Sequence, residues 1–474
     1  MSLSLGIDLG TSSIKVAVVD GNRCVARASA PQTEMTVNSP QPGWAEQHPE
    51  DWWQFVREAI LSLPSETRSE IQTIGIAYQM HGLVLVDEQG ASVRPAIIWC
   101  DSRAVAIGEA AVTELESSYC ENSLLNSPGN FTASKLAWVQ RHEPEIYQRA
   151  RYAMLPGDFV AYRFTRQATT TQTGLSEMIL WDFAADKLAS KVMDALKLDV
   201  AHLPTVLASV GHCLTIDSEV AAELGLPATA CLTYRAGDQP NNAFALGVLE
   251  PGEVAANAGT SGVIYGVSDE LTPSPGFLTN KFLHVNHSAK SRRIGVLMCL
   301  NGCGSAIRWL RDALFGVGAG YGEFDQVARE ATSGEILFYP FGNGAERILE
   351  NANPGATFSG LDFTRHGRSQ LCRSALEGVA FAMAHGLSVC ALTPQEIKAG
   401  NANLFSSDIF AQSLSDLTGC PITICDADGA IGAAIGAAGN IPQPEVIRRY
   451  EPHANAKLAQ AQQKWLAKLA SVVA

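Results

Sequence analysis

Between Leu5 and Asp20 two apolar runs bracket a tight Gly10-Thr11-Ser12 corner, the pattern of a strand, a turn and a second strand. Asp20-Gly21-Asn22 is a turn signal, and Arg23 to Ala28 alternates as a third strand. A Pro-rich loop from Pro40 leads into a helix opening at Pro49 to Asp51, with Trp53, Val56, Ala59, Ile60 and Leu63 at helical spacing. Ile71 to Ala77, Leu83 to Val86 and Ala96 to Ile98 read as apolar strands. Residues 104–200 read mostly as helices, one of them from Asp158 to Phe164 with Asp158 as its N-cap. Later strands fall at Ile294 to Cys299 and Ile336 to Phe341, and an amphipathic helix at Ala375 to Gly386. Gly429 to Ala438 is a small-residue helix, too short to span a bilayer and suited to tight packing.

The opening pattern recurs. Glu253 to Val267 is again strand, corner and strand, and Gly10-Thr11-Ser12 returns as Gly259-Thr260-Ser261 at an offset of 249 residues. The offset is close to half the chain and the context is the same, which predicts two related lobes meeting near residue 244, residues 1–244 and 245–474.

Chemistry gathers at these punctuation points. Turn amides at a Gly-Thr-Ser corner form a concavity that suits phosphate. Asp8, just before the first corner, has the wrong charge to touch phosphate and makes sense as the anchor of a divalent cation, although a plain hairpin with a strand-end Asp is the simpler reading. Gln79 and His81 interrupt two apolar strands at the bend-permitting Gly82, and Trp99, Asp101 and Arg103 end the next one; aromatic and polar strand ends suit a polyol pocket. Asp238 follows Gly237 and precedes a helix, so it is either an N-cap or a general base aimed into a cleft. Ile397 to Asn403 reads as a strand ending in a Gly/Asn turn, where small residues allow a flat ligand such as a purine to approach, and a plain turn fits equally. No G-x-x-x-x-G-K-[ST] occurs, and His284-x-x-His287 lacks the three or four convergent ligands of a zinc site.

Composition narrows the classes. At 474 residues with 46% hydrophobic and 17% charged residues, the chain is globular and large enough for two or three domains. A net charge of −14 argues against nucleic acid or anionic membrane as partner. Eleven cysteines without a Cys-x-x-Cys read as thiols in a reducing cytoplasm, not as a disulfide framework. A strand beginning within a few residues of Met1 leaves no room for a signal peptide.

Two phosphate corners, a metal-type Asp, a base-type Asp and a polar, aromatic pocket are the parts of a phosphoryl transfer from ATP to a hydroxyl. On Gly6 to Ser12, Gly43 to Gln47 with Asp51-Trp52-Trp53, Gly237-Asp238, Gly259-Thr260-Ser261 and Leu376 to Phe381, the chain resembles the FGGY carbohydrate kinases over essentially its whole length. Gln79-Met80-His81-Gly82 and Trp99 to Arg103 most resemble the branch that acts on D-xylulose. The resemblance implies two actin-like (ribonuclease H-like) α/β ATPase lobes around a central cleft and phosphorylation of the sugar at O5. It implies Met80 and His81 at the sugar, with Trp99, Asp101 and Gln239 beside them, and Asp238 as proton acceptor. It implies ATP at Thr11, Ser12, Lys15, Gly259 and Thr260, adenosine near Gly302, Gly400 and Asn401, and Mg²⁺ at Asp8. Gln239 stands where many members of that branch carry Asn, as it does in glycerol kinases. Other polyols (glycerol, ribulose, gluconate) and a sugar-indifferent nucleotide switch are the alternatives. A small sugar and ATP are the expected partners; a homodimer is compatible with the sequence.

Overall fold

Alternating apolar residues drive Leu3–Leu9, Ile14–Asp20 and Arg23–Ala30 into an antiparallel meander in the computed structural model, which describes residues 3–273, 275–350 and 352–473. Ile71–Tyr78 and then Cys231–Gly237 add to the other side of Leu3–Leu9 as parallel strands, and Val210–Thr215 closes that edge antiparallel. The three parallel strands are buried along most of their length, as strands covered on both faces are.

A second sheet repeats this plan around Val254–Ala258. Gly262–Ser268 and Ile294–Leu300 follow antiparallel on one side, extended by Asn280–Leu283. Ile397–Gly400 and Ile422–Asp426 pair parallel on the other, and Glu445–Tyr450 closes antiparallel. The two corners separated by 249 residues therefore sit at the same place in two sheets of the same pairing order. Asp8 of the first has Asn257 as its counterpart in the second.

In both sheets the third parallel strand feeds a helix, Asp238–Ala245 in one and Gly429–Ala437 in the other. The second of these lies on the face of the first sheet, where the register partners Gly6 and Gly75 make room for it. A Cβ at Gly6 would come 1.9 Å from the Ala430 carbonyl oxygen, and one at Gly75 2.1 Å from that of Ala433. The buried Asn241 pins the two helices together: its Nδ2 donates to the Gly429 carbonyl (2.8 Å) and its Oδ1 accepts from the Tyr234 hydroxyl (3.1 Å).

Two expectations change. Pro156 starts its helix two residues before Asp158, which is therefore the third helical residue; its Oδ2 accepts the Leu155 N–H and its Oδ1 pairs with buried Arg235 at 2.9 Å. Cys213 and Cys231 are joined as a disulfide across the edge ladder, a proximity created by an intervening helix and turn that cysteine spacing cannot reveal; the other nine cysteines are free. His284, just past the strand Asn280–Leu283, has both ring nitrogens engaged, by the Tyr265 hydroxyl and the Val248 carbonyl. Among the described residues no helix is long and apolar enough to cross a membrane.

Candidate active site

Leu9, Tyr78 and Gly237 are aligned across the three parallel strands, so all three strands end at one edge of the first sheet. The residues just past each strand consequently emerge at that edge: the Gly10-Thr11-Ser12 corner, Gln79-Met80-His81, and Asp238. Ligand sites lie at the carboxyl ends of parallel strands for this reason.

The two acids feel one another. Burial, and then the charge of Asp8, push the Asp238 carboxyl up to about 7. Burial raises Asp8 to about 6, moderated by Lys15, its exposed partner across the hairpin, and pushed further by Asp428. Gly237, not Asp238, occupies the helix cap position, so capping does not account for Asp238; its carboxylate instead accepts from Gln239. The backbone of Gly429 presses on the other acid, since a Cβ there would come 2.6 Å from Asp8 Oδ2. Both acids thus sit at helix N-termini, where the helix dipole favours negative charge. Among the described residues no three His, Cys, Asp or Glu side chains cluster to hold a metal. A cation at Asp8 would rest on one carboxylate, ligand oxygens and water, which is how Mg²⁺ is bound.

On the acceptor side Met80 is buried against Gly237: a Cβ on that glycine would strike Met80 Cγ at 2.6 Å and Glu177 Oε2 at 2.8 Å. His81 is half-buried with a left-handed backbone (φ 60°). Its Nδ1 lies 3.3 Å from the Glu177 carbonyl, which can only accept, so Nδ1 carries the proton and Nε2 is left as an acceptor. Burial lowers the His81 imidazole to about 3, keeping it neutral. Trp99 is half exposed (52%), with its indole N–H donating to Thr11 Oγ1 at 3.0 Å.

Two expected ligands are already engaged. Asp101 is fully buried; its oxygens accept from the Ala45 N–H (2.6 Å) and from the backbone and guanidinium of Arg103, which in turn lies on the Trp44 ring at 3.8 Å. Asp101 anchors the 43–47 loop and has no oxygen to spare for a sugar. The Thr11 hydroxyl accepts from Trp99 and donates to Gln79 (3.4 Å), which leaves the backbone of that corner and exposed Ser12 for a phosphate.

The second corner opens into a cavity of about 640 Å³ lined by Gly259, Thr260, Ile307, Arg308, Tyr321 and Asn403, among others. Gly302, Gly400 and Asn401 do not line it. Gly302 (φ 87°) is a turn glycine pressed on the Pro340 carbonyl, and Asn401 is held by Arg448 at 2.8 Å. Gly304, Asn403 and Leu404, a few residues further on, take the wall positions instead.

The FGGY carbohydrate kinase N-terminal domain matches residues 3–245 and the C-terminal domain residues 254–440. A xylulose kinase of Escherichia coli (strain K12) is 31% identical over 443 residues, covering 92% of this chain and 88% of that protein. The crystal structure of a xylulose kinase from Brucella ovis superposes with a TM-score of 0.88 at 27% identity, covering 99% of both chains. A gluconate kinase from Lactobacillus acidophilus superposes at 0.89 over 100% of this chain and 99% of its own with 21% identity, a likeness of fold alone.

Proposed function

Because this chain belongs to the FGGY family of carbohydrate kinases, we propose that it transfers the γ-phosphoryl group of ATP to D-xylulose, giving D-xylulose 5-phosphate. The observation that carries this reading is the meeting of Asp238 with Met80 and His81 at one sheet edge, within the field of Asp8. The similarity to xylulose kinases over nine-tenths of the chain supports the choice of sugar.

In this reading Asp238 accepts the proton of the attacking hydroxyl as the new O–P bond forms and the bond from the γ-phosphorus to the β,γ-bridging oxygen breaks, with ADP leaving. His81 Nε2 accepts from a second hydroxyl, and Met80 and Trp99 supply apolar wall. Backbone N–H groups of the two corners hold the phosphates, with Ser12 and Lys15 on the first side and Gly259 and Thr260 on the second. Adenosine occupies the cavity between Tyr321, Arg308 and Asn403. Asp8 would hold Mg²⁺, which when bound offsets phosphate charge. We assign residues 1–244 to the acceptor-binding lobe and 245–474 to the adenosine-binding lobe, with water excluded where they face each other.

A panel of D-xylulose, ribulose, glycerol and gluconate, with ADP release coupled to a dehydrogenase readout, tests the assignment. Xylulose is expected to give the highest kcat/KM. Glycerol is included because Gln239 donates to Asp238 where many relatives carry Asn; turnover of glycerol with none of xylulose would reverse the assignment. The pH profile is a second test. A general base works deprotonated, so log(kcat/KM) falls as pH drops through the region from about 7 to about 6, the values of Asp238 and Asp8. The limb belongs to the coupled pair rather than to either acid. A profile flat down to pH 5 would remove Asp238 from the base role.

A further inference from the structure

Two buried ionisable side chains converge on His81, and no expected role accounts for either. Glu177 (2% exposed) and Lys135 (0%) come from different helices, Gln172–Glu177 and Thr132–His142. Glu177 Oε1 accepts the His81 N–H at 2.8 Å. Lys135 Nζ donates to the His81 carbonyl at 2.8 Å and to the Ile98 carbonyl at 3.0 Å. Both polar groups of one residue's backbone are thereby gripped, and that residue has the left-handed conformation that side chains other than glycine disfavour. The ring is held as well, edge-on to Phe131 (centroids 4.7 Å apart) and against Phe282 at 5.1 Å.

Glu177 also reaches the other side of the site. Its Oε2 lies over Gly237, the residue before Asp238, and the Tyr78 hydroxyl bonds to the same carboxyl. Burying an acid and a base that do not pair with each other is costly, and an apolar pair would fill the same space without that cost. Burial raises the Glu177 carboxyl well above its ordinary range and lowers Lys135 to about 7, so both are eased towards their neutral forms. What these groups supply that apolar ones could not is an acceptor for one peptide N–H and a donor for its carbonyl.

We propose that Glu177 and Lys135 are positioning residues that hold the His81 backbone by both its polar groups and so set the sugar-binding corner against the Gly237–Asp238 turn. Neither needs to touch substrate. This rests on the carbohydrate kinase reading, and the tests separate the two.

Glu177→Asp withdraws the acceptor by one methylene, whereas Glu177→Gln keeps it in place. With the sugar that the wild type turns over best, Glu177→Asp should raise the sugar KM about tenfold with the ATP KM changed less than about twofold; Glu177→Gln should stay within about threefold of wild type on both. Lys135→Met should share the sugar-specific loss. A wild-type sugar KM in Glu177→Asp, or sugar and ATP constants that move together, would overturn the proposal; the second pattern is that of a residue that only stabilises the fold. If the wild type turns over no sugar on the panel, the kinase reading fails, and the clamp is read instead by hydrogen exchange. The His81 amide should then exchange about tenfold faster in Glu177→Asp than in Glu177→Gln, and equal rates would overturn the clamp.

Discussion

Asp238→Asn is expected to lower kcat by about two decades or more while leaving the sugar and ATP KM within about threefold, the pattern of a lost general base. Asn has the same shape and still accepts a bond from Gln239, but it cannot take a proton at neutral pH. Because Gly237 holds the cap position, the change removes no helix cap. The stability effect has the opposite sign. The folded carboxyl titrates at about 7 against 3.8 for the free group, so the folded state binds its proton more tightly. That contribution favours folding fully below about pH 3.8 and is lost as pH rises through about 7, so at pH 8 the ionised acid weighs against the fold. Asp238→Asn should therefore melt higher than wild type at pH 8, with a smaller difference at pH 5. Steady-state kinetics and melting at the two pH values check both halves; an unchanged kcat would return Asp238 to a structural role.

Arg235→Met should destabilise the protein by about 3–5 kcal/mol, the range for breaking a buried ion pair from one side. Arg235 and Asp158 are both about 1% exposed and 2.9 Å apart, and the guanidinium also donates to the Thr169 carbonyl and hydroxyl, each at 2.9 Å. Removing the cation leaves Asp158 in a dry site and frees two acceptors. Arg235 lies on the strand that ends at Asp238, so activity should fall with temperature well before it does in the wild type. Replacing both partners, Asp158→Leu with Arg235→Met, should recover part of the loss. Urea unfolding followed by far-ultraviolet circular dichroism measures it, and a loss below about 1 kcal/mol would mean that solvent reaches the pair.

The strands, the repeat and the acids at 8 and 238 are legible in the chain because each is announced locally, by period-two apolar runs or by a carboxylate beside a small-residue turn. Asp101 carries the same local signal and serves the loop instead; which donors saturate a carboxylate is decided by residues distant in sequence, here Ala45 of the Pro-rich loop. Gly302 and Gly400 mark turns correctly, but a glycine reports what the backbone needs and not what the turn faces. Asn403, with φ 56°, and Leu404 take the cavity wall at and just past the end of that Gly/Asn turn. Lys135 and Glu177 lie in the 104–200 stretch, which reads only as mostly helices, with no chemistry announced at either position. The only hint for Lys135 is its place between Ser134 and Leu136 in two helical turns that prove to be wholly buried. The Cys213–Cys231 link and the Arg235–Asp158 pair are likewise long-range facts.

The matched halves differ where it counts for charge. Two acids at the matching positions of both sheets would have given both corners the same charge. Here the next-to-last residue of one strand is Asp8 and that of its counterpart is Asn257, which has nearly the same shape but no charge and whose Oδ1 accepts from Asn403 Nδ2 at 3.3 Å. The pairing order is the same in both sheets while the charge at this position differs. The two corners thus share a backbone plan but not a charge: the first offers a carboxylate where the second offers an amide.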